Sequence, residues 1–360
     1  MRTFTYTALP SRVVFGAGAA ARVPEEVERL GRGRVLLLAG RHLDARVTDG
    51  LGDLVVARFD GAVMHTPTSV TDRALAVARE HGVDCVVAVG GGSTTGLSKA
   101  LAARAGYDQV IVPTTYAGSE VTPVLGETRD GVKTTRSGPE ILPETVVYDV
   151  DLTVGLPAAI TLTSAVNAMA HAVEALYSAQ ANPVVDGMAL ESIAAVTRAL
   201  PRVTADPHDL EARADLLQAA WLAGACLAGV GMGLHHKLCH TLGGSFDLPH
   251  APTHTVVLPH AMAYNAPAVP GVMARIADAM GVPDAPGGLH DLVAGLGGPT
   301  SLAELGFTRE GIGRATELAT ATPYPNPRPV TAEGITRLLT DAHDGRRPGG
   351  DAAGLRPGGR

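Results

Sequence analysis

The sequence predicts an α/β N-terminal domain, a Rossmann-like parallel sheet, followed by an all-α C-terminal domain, and three observations predict it. From residue 34 to about 150, short β-branched runs alternate with Ala/Leu-rich stretches, the rhythm of parallel strands joined by helices. After Thr145–Val150 the β signal stops, and from Ala158 to Asp341 the pattern is helical. The chain has 360 residues, long for a single core. The divisions expected are a nucleotide-binding α/β domain over 1–152, an all-helical catalytic domain over 153–345 and a flexible tail over 346–360.

Taken in order, Thr3–Thr7 and Arg12–Phe15 read as a hairpin at one sheet edge. Arg34–Ala39, Asp84–Val89, Gln109–Val112 and Thr145–Val150 read as strands, with helix-like segments between the first three. The natural boundary is Asp151–Pro157. Beyond it, helix breaks are expected at Pro183, Pro201, Pro207, Pro249, Pro283 and Pro299, since proline lacks the helical N–H. The uncharged stretch Leu216–Leu234 approaches membrane-spanning length. It contains Gln218 and four glycines and runs into His235 and His236, so it reads as a buried helix. Gly345–Arg360 is a Gly/Pro/Arg tail with almost nothing to bury.

The net charge of −7, with no long run of Lys or Arg, excludes nucleic acid as a partner class. The start lacks the basic segment, apolar block and cleavage site of a secretory signal, so a cytoplasmic protein is expected. Cys85, Cys226 and Cys239 form no CxxC pair, which suits a reducing compartment. They read as small core residues, although Cys239 lies between two histidines and a thiolate role stays open for it. Only three lysines, Lys99, Lys133 and Lys237, stand against 26 arginines, so each lysine stands out.

Two glycine clusters compete for a nucleotide. Gly16-Ala17-Gly18-Ala19-Ala20-Ala21 fits G-x-G-x-x-A, but no acidic residue ends a second strand about 20 residues later. Gly90, Gly91, Gly92, Ser93 and Thr94 follow an apolar strand directly and open a helix-like segment that contains Lys99. Consecutive glycines let the backbone approach a pyrophosphate, and the following helix supplies free N–H groups and its dipole. This second cluster is favoured. Thr114, Thr115 and Ser119, in PTTYAGSE after the next strand, offer hydroxyls to ribose or phosphate at the sheet end where such folds bind ligands. The cofactor expected is NADH or NADPH. Arg41, after the strand ending in Ala39-Gly40, stands where an acidic residue would hold the ribose 2′-OH, so a 2′-phosphate should be tolerated.

Six of thirteen histidines fall between 235 and 260. His236 and His240 are four apart and share a helix face. Asn167 and His171 are also four apart and form a second helical pair that could face the first. With His250 from a following turn, these residues make a convergent polar site inside an apolar helical domain. His254 and His260 stay open at this point, and His235 is expected to point away from His236.

The order GGGSTTGLSKA, PTTYAGSE, VNAMAHAVEAL and GLHHKLCHTLGGSFDLPHAPTHTVVLPH resembles the iron-type alcohol dehydrogenase superfamily across roughly residues 10–345, and its last segment resembles the maleylacetate reductase branch in particular. That resemblance implies NAD(P)H-dependent reduction of maleylacetate, or a similar unsaturated oxo-dicarboxylate, to 3-oxoadipate in aromatic compound degradation. It places His171, His236 and His250 at metal-ligand positions and His240 beside the nicotinamide. Metal-dependent members begin the Asp-x-x-x-His pair with a carboxylate, where this chain has Asn167, and they carry an Asp where it has Gly96. Both departures look like the same branch, make a divalent metal doubtful and leave the ligand positions vestigial.

Hydride delivered to the carbon remote from the ketone pushes charge onto the ketone oxygen, so the site must stabilise an enolate. Imidazoles and a nearby ammonium aimed at that oxygen can do so, with Lys133 the candidate ammonium. Two other readings are carried. One is a metal-dependent alcohol or aldehyde dehydrogenase on the same scaffold; the other is a dehydroquinate synthase-like lyase that uses NAD transiently. The partners expected are a small-molecule substrate and a second copy of the chain, joined as a homodimer at the N-terminal edge, with no membrane.

Overall fold

The computed structural model describes residues 3–40, 47, 50–129 and 132–349. Its N-terminal half carries a six-stranded parallel sheet. The strands are β1 (Arg12–Gly16), β2 (Val35–Ala39), β3 (Val55–Phe59), β4 (Cys85–Gly90), β5 (Asp108–Pro113) and β8 (Thr145–Asp149), in the order β1-β8-β5-β4-β2-β3. The central strands carry apolar runs, residues 35–38, 85–89, 110–112 and 146–147, because both faces are covered. Leu36, Leu38, Val86, Ala88, Ile111 and Val146 enter the large core continuous with the helical half, whereas Val35, Leu37, Val87, Val110 and Val147 pack the opposite face with helix α1 (Val23–Arg29). Strand periodicity thus divides one run of Val and Leu between two cores.

From β2 the chain goes to β3 on one side, and from β4 to β5 on the other. The order therefore reverses between β2 and β4, and the crevice at their carboxyl ends is where open α/β sheets bind ligands. Helix α2 (Thr68–Glu80) precedes β4, and helix α3 (Gly92–Ala105) begins at this crevice.

Several expectations are corrected. Residues 3–11 form no strand, so there is no N-terminal hairpin; β1 pairs in parallel with β8, Arg12 opposite Thr145. Pro10, just before β1, has no N–H for an antiparallel ladder. β3 was hidden in a stretch that reads as helical, since only Ala57 of its five residues is fully buried. The antiparallel pair β6 (Val124–Arg129) and β7 (Val132–Ser137) was also hidden, because it is polar and lacks apolar alternation.

The helical half begins with α4 (Ala158–Leu176), buried from Thr161 to Leu176. A helix apolar all round belongs at the centre of its domain. It is enclosed by α5 (Pro183–Ala205), α6 (Leu210–Gly229) and α8 (His250–Asn265). Helix α7 (Leu234–Phe246) packs on α8, and α9 (Pro270–Met280), α10 (Ala285–Gly295), α11 (Gly311–Thr320) and α12 (Ala332–His343) complete the half.

Pro201 does not break a helix; it lies exposed inside α5, about one turn before its end. Leu216–Leu234 is not one helix. α6 stops at Gly229 and α7 leaves at 100°, and among the described residues no single helix is long and apolar enough to cross a membrane. Of the expected tail, Arg346 and Arg347 are bound to Asp341 and Asp291, and residues 350–360 lie outside the described residues.

Candidate active site

At the crevice, β4 ends on Gly90 and α3 starts at Gly92. Gly90 has φ +156°, and a Cβ there would meet Thr94 Oγ1 at 2.5 Å. A Cβ on Gly91 would press on Thr115, whereas Gly92 faces open space. The turn is thus packed on its inner side and open outward, with the unpaired first N–H groups of α3 beside it. The donation from Thr114 N to Gly90 O, 3.0 Å, ties the second loop to the first and brings Thr114 and Thr115 alongside Gly90 and Gly91, whereas Ser119 lies further along that loop with its carbonyl on Lys99. The rival turn is occupied from within: Gly18 N and Ala20 N donate to the two carboxylate oxygens of Asp149 at 3.0 and 2.9 Å.

Lys99 is corrected. Its ammonium is fully buried and donates to Ser119 O, to Thr122 Oγ1 at 2.9 Å and to Val124 O at 3.0 Å. All three donors are spent, so Lys99 braces the loop and presents no charge to a phosphate. Burial lowers its pKa to about 7 against the opposing pull of Glu120. Glu120 accepts from Tyr148 O–H at 2.8 Å and from Gly118 N at 3.2 Å, fixing the same loop from the other side. Gly118, at φ +85°, lies so close to α6 that a Cβ would meet Ala220 O at 2.8 Å.

Gly96 has no room for a side chain, because a Cβ there would meet Thr66 Oγ1 at 2.5 Å. Lys133 stands on β7 opposite Thr128, but its side chain, like the whole of Arg41, lies outside the described residues.

The histidine site forms where α4, α7 and α8 meet. Asn167 and His171 lie on one face of α4, His236 and His240 on one face of α7, and His250 opens α8. His171 Nδ1 and His236 Nε2 are 2.7 Å apart with stacked rings, and His236 Nδ1 is 2.6 Å from Glu174 Oε2. Since Glu174 accepts the Nδ1 proton, Nε2 of a neutral His236 is an acceptor and takes the proton of His171 Nδ1–H. Burial, then His236 and His250, hold His171 well below the ordinary histidine pKa; the Ala117 backbone, on the loop after β5, pulls the other way. His171 is therefore a neutral imidazole adjoining that loop. His240 is exposed with its ring edge-on to His236, His250 is half-buried, and Asn167 Oδ1 is buried with no hydrogen-bond partner.

Sequence reasoning missed Glu174. Its carboxylate, 1% exposed, accepts from Gly233 N, His235 N and His236 N as well as from His236 Nδ1, so it caps α7 and orients the histidine together. The available signal was its place three residues after His171 on one helix face. His235, expected to point away from His236, lies edge-on to that ring with 5.2 Å between centres and is fully buried against His254, 2.9 Å between ring nitrogens. His260 lies apart, buried and lowered to about 4 by burial and then by His290. Cys239 is buried, and its thiol pKa is raised well above the ordinary range, first by burial and then by Glu174, which closes the reading as a standing thiolate.

The resemblance places the family's ligand positions at Asn167, His171, His236 and His250. Asn167 brings no charge, and His171 and His236 turn their facing nitrogens on each other. Among the described residues the His/Cys/Asp/Glu group that converges closely enough to hold an ion is His235, Cys239 and His254, not His171, His236 and His250.

Residues 10–150 match the iron-containing alcohol dehydrogenase family model, and residues 161–343 match the C-terminal model of the Fe-containing alcohol dehydrogenase family. The chain is 61% identical to maleylacetate reductase 1 of Rhodococcus opacus, over 96% of this chain and 98% of that one. The crystal structure of a putative alcohol dehydrogenase from Ralstonia eutropha JMP134 superposes with a TM-score of 0.95 at 54% identity, covering 97% of this chain and all of that one. That of the maleylacetate reductase from Rhizobium sp. strain MTP-10005 gives 0.92 at 52%, with the same coverage.

Proposed function

The chain belongs to the iron-containing alcohol dehydrogenase family, and from that premise we propose that it reduces maleylacetate, or a closely similar unsaturated oxo-dicarboxylate, to 3-oxoadipate with NADH or NADPH. The observation that carries this reading is the hydrogen-bonded chain Glu174–His236–His171, set beside the cofactor loop with an uncharged amide, Asn167, at its edge.

Gly90–Thr94 with Thr114, Thr115 and Ser119 would hold the dinucleotide, whose nicotinamide supplies the hydride. The rest of the chemistry falls to the side chains. His240 and His250, on the accessible side of the cluster, can donate to the oxygen on which enolate charge develops. His240 is then placed to return a proton to carbon. Glu174 fixes the tautomer of His236, and through it His171, so the imidazoles on which His240 packs keep one arrangement as charge appears. Asn167 can bind a substrate carboxylate through its amide N–H, which a carboxylate at that position would repel. A simple aldehyde gives a more basic alkoxide that gains more from a Lewis acid, which this donor set is poorly built to hold.

The test is oxidation of NADH and NADPH with maleylacetate against a panel of small aldehydes. Maleylacetate should turn over at least tenfold faster, and equal or faster aldehyde rates would reject the assignment. Arg41 motivates a second expectation, that NADPH supports at least a hundredth of the NADH rate. Lower values would show that a 2′-phosphate is excluded.

We also propose a homodimer, now through the edge of β1 and the extended residues before it, where Phe4 and Phe15 are 47% and 40% exposed. Light scattering at micromolar concentration should give twice the chain mass, and a monomer would count against it.

A further inference from the structure

Behind the reducing site lies a second constellation that the reaction does not use. His235 and Cys239, one turn apart on α7, meet His254 of α8, and the three are 0%, 3% and 0% exposed. His235 Nε2 is 2.9 Å from His254 Nδ1, and Cys239 Sγ is 3.7 Å from His235 Nε2 and 3.9 Å from its Nδ1. One ligand atom from each residue lies within 4.8 Å of the others. His254 Nε2 is buried with no hydrogen-bond partner, so this imidazole is only half satisfied by the protein.

We propose that His235, Cys239 and His254 form a site for a soft monovalent cation of the copper(I) class, separate from the family's ligand positions at His171, His236 and His250. The donor set is one sulfur and two imidazoles, which selects soft ions. On binding, Cys239 loses its thiol proton to solvent as the sulfur–metal bond forms, the proton shared by His235 Nε2 and His254 Nδ1 moves to the other nitrogen of its own ring so that both facing nitrogens can ligate, and the ion keeps its oxidation state. One thiolate then cancels one positive charge, and the buried site is neutral. A divalent ion would leave an uncompensated charge in a dry interior.

A divalent ion would also seek a fourth ligand. His236, whose ring centre is 5.2 Å from those of both His235 and His254, is committed to Glu174 and His171, and His250 adjoins His254 alone. Bonds of about 2.0 Å in a trigonal arrangement require the two imidazole nitrogens to part only to about 3.4 Å. Half-buried His250 adjoins the site, its ring centre 4.4 Å from that of His254.

The test is an anaerobic titration of the full chain with copper(I), supplied as its acetonitrile complex against a competing chelator, together with X-ray absorption of the loaded protein. One equivalent should bind, with one sulfur and two imidazoles around the ion and affinity at least a hundredfold above that for zinc(II). Cys239→Ser and His254→Asn should each weaken binding at least a hundredfold, and either variant suffices if the other does not fold. Absence of stoichiometric binding, a shell without sulfur, affinity unchanged in both variants, or a preference for zinc(II) would each overturn the proposal.

Discussion

Glu174→Gln is expected to lower kcat by about 10²–10⁴-fold, the range attached to losing a positioned acid–base partner or its tautomer. Oε1 of Glu174 accepts from His235 N, while Oε2 accepts from Gly233 N, His236 N and His236 Nδ1. A glutamine has one oxygen. Whichever way its amide lies, an NH₂ faces at least one of these N–H groups, and a buried donor left unmet costs about 1–3 kcal/mol. If the amide turns its NH₂ to the histidine, His236 Nδ1 must become the acceptor. The proton order through His171 then reverses.

The loops that would hold the cofactor are built on β4, α3 and β5, away from this contact, so KM for NADH should move less than threefold. That split between kcat and KM separates loss of orientation from general unfolding. A variant with kcat within threefold of the parent would show that the tautomer of His236 does not matter.

Exhaustive chelation is expected to leave turnover within twofold of the untreated enzyme, and Asn167→Asp is expected to raise divalent-metal affinity by about tenfold or more. Three imidazoles at His171, His236 and His250 could in principle serve zinc, as three histidines do in some enzymes. Here Asn167 adds no charge to offset a dication drawn into a pocket where His171 and His236 are 5% and 6% exposed. The aspartate restores that charge and repels a substrate carboxylate, so maleylacetate turnover should fall as metal binding rises. Metal analysis and turnover before and after chelator check both parts. Activity lost on chelation and restored by one particular ion would reject the metal-independent mechanism in favour of a metal-dependent alcohol dehydrogenase.

Much of the site was legible because its chemistry repeats at helical spacing. Asn167 with His171 and His236 with His240 are each four apart, so each pair had to share a face, and the glycines after β4 had to form an open turn. Glu174 was not legible, since a glutamate on a helix ordinarily faces water. Only the approach of the α7 N-terminus, from a break at residues 230–233, makes it the cap of another helix.

Lys99 misled for a related reason. A lysine on the helix after a glycine turn suggests a phosphate contact, yet it sits two turns in, on the face that packs against residues 119–124. The hairpin β6–β7 escaped because Thr, Arg and Glu dominate it, and β1 was paired with the wrong neighbour because parallel partners lie far away in sequence.

The most direct test of the account is where the hydride goes. With NADH deuterated at the transferred position and maleylacetate as substrate, mass and NMR analysis of the product should show one deuterium on the former alkene carbon remote from the ketone, with the ketone retained. Deuterium on a carbinol carbon, with the alkene intact, would contradict an enolate-stabilising site and show carbonyl reduction instead.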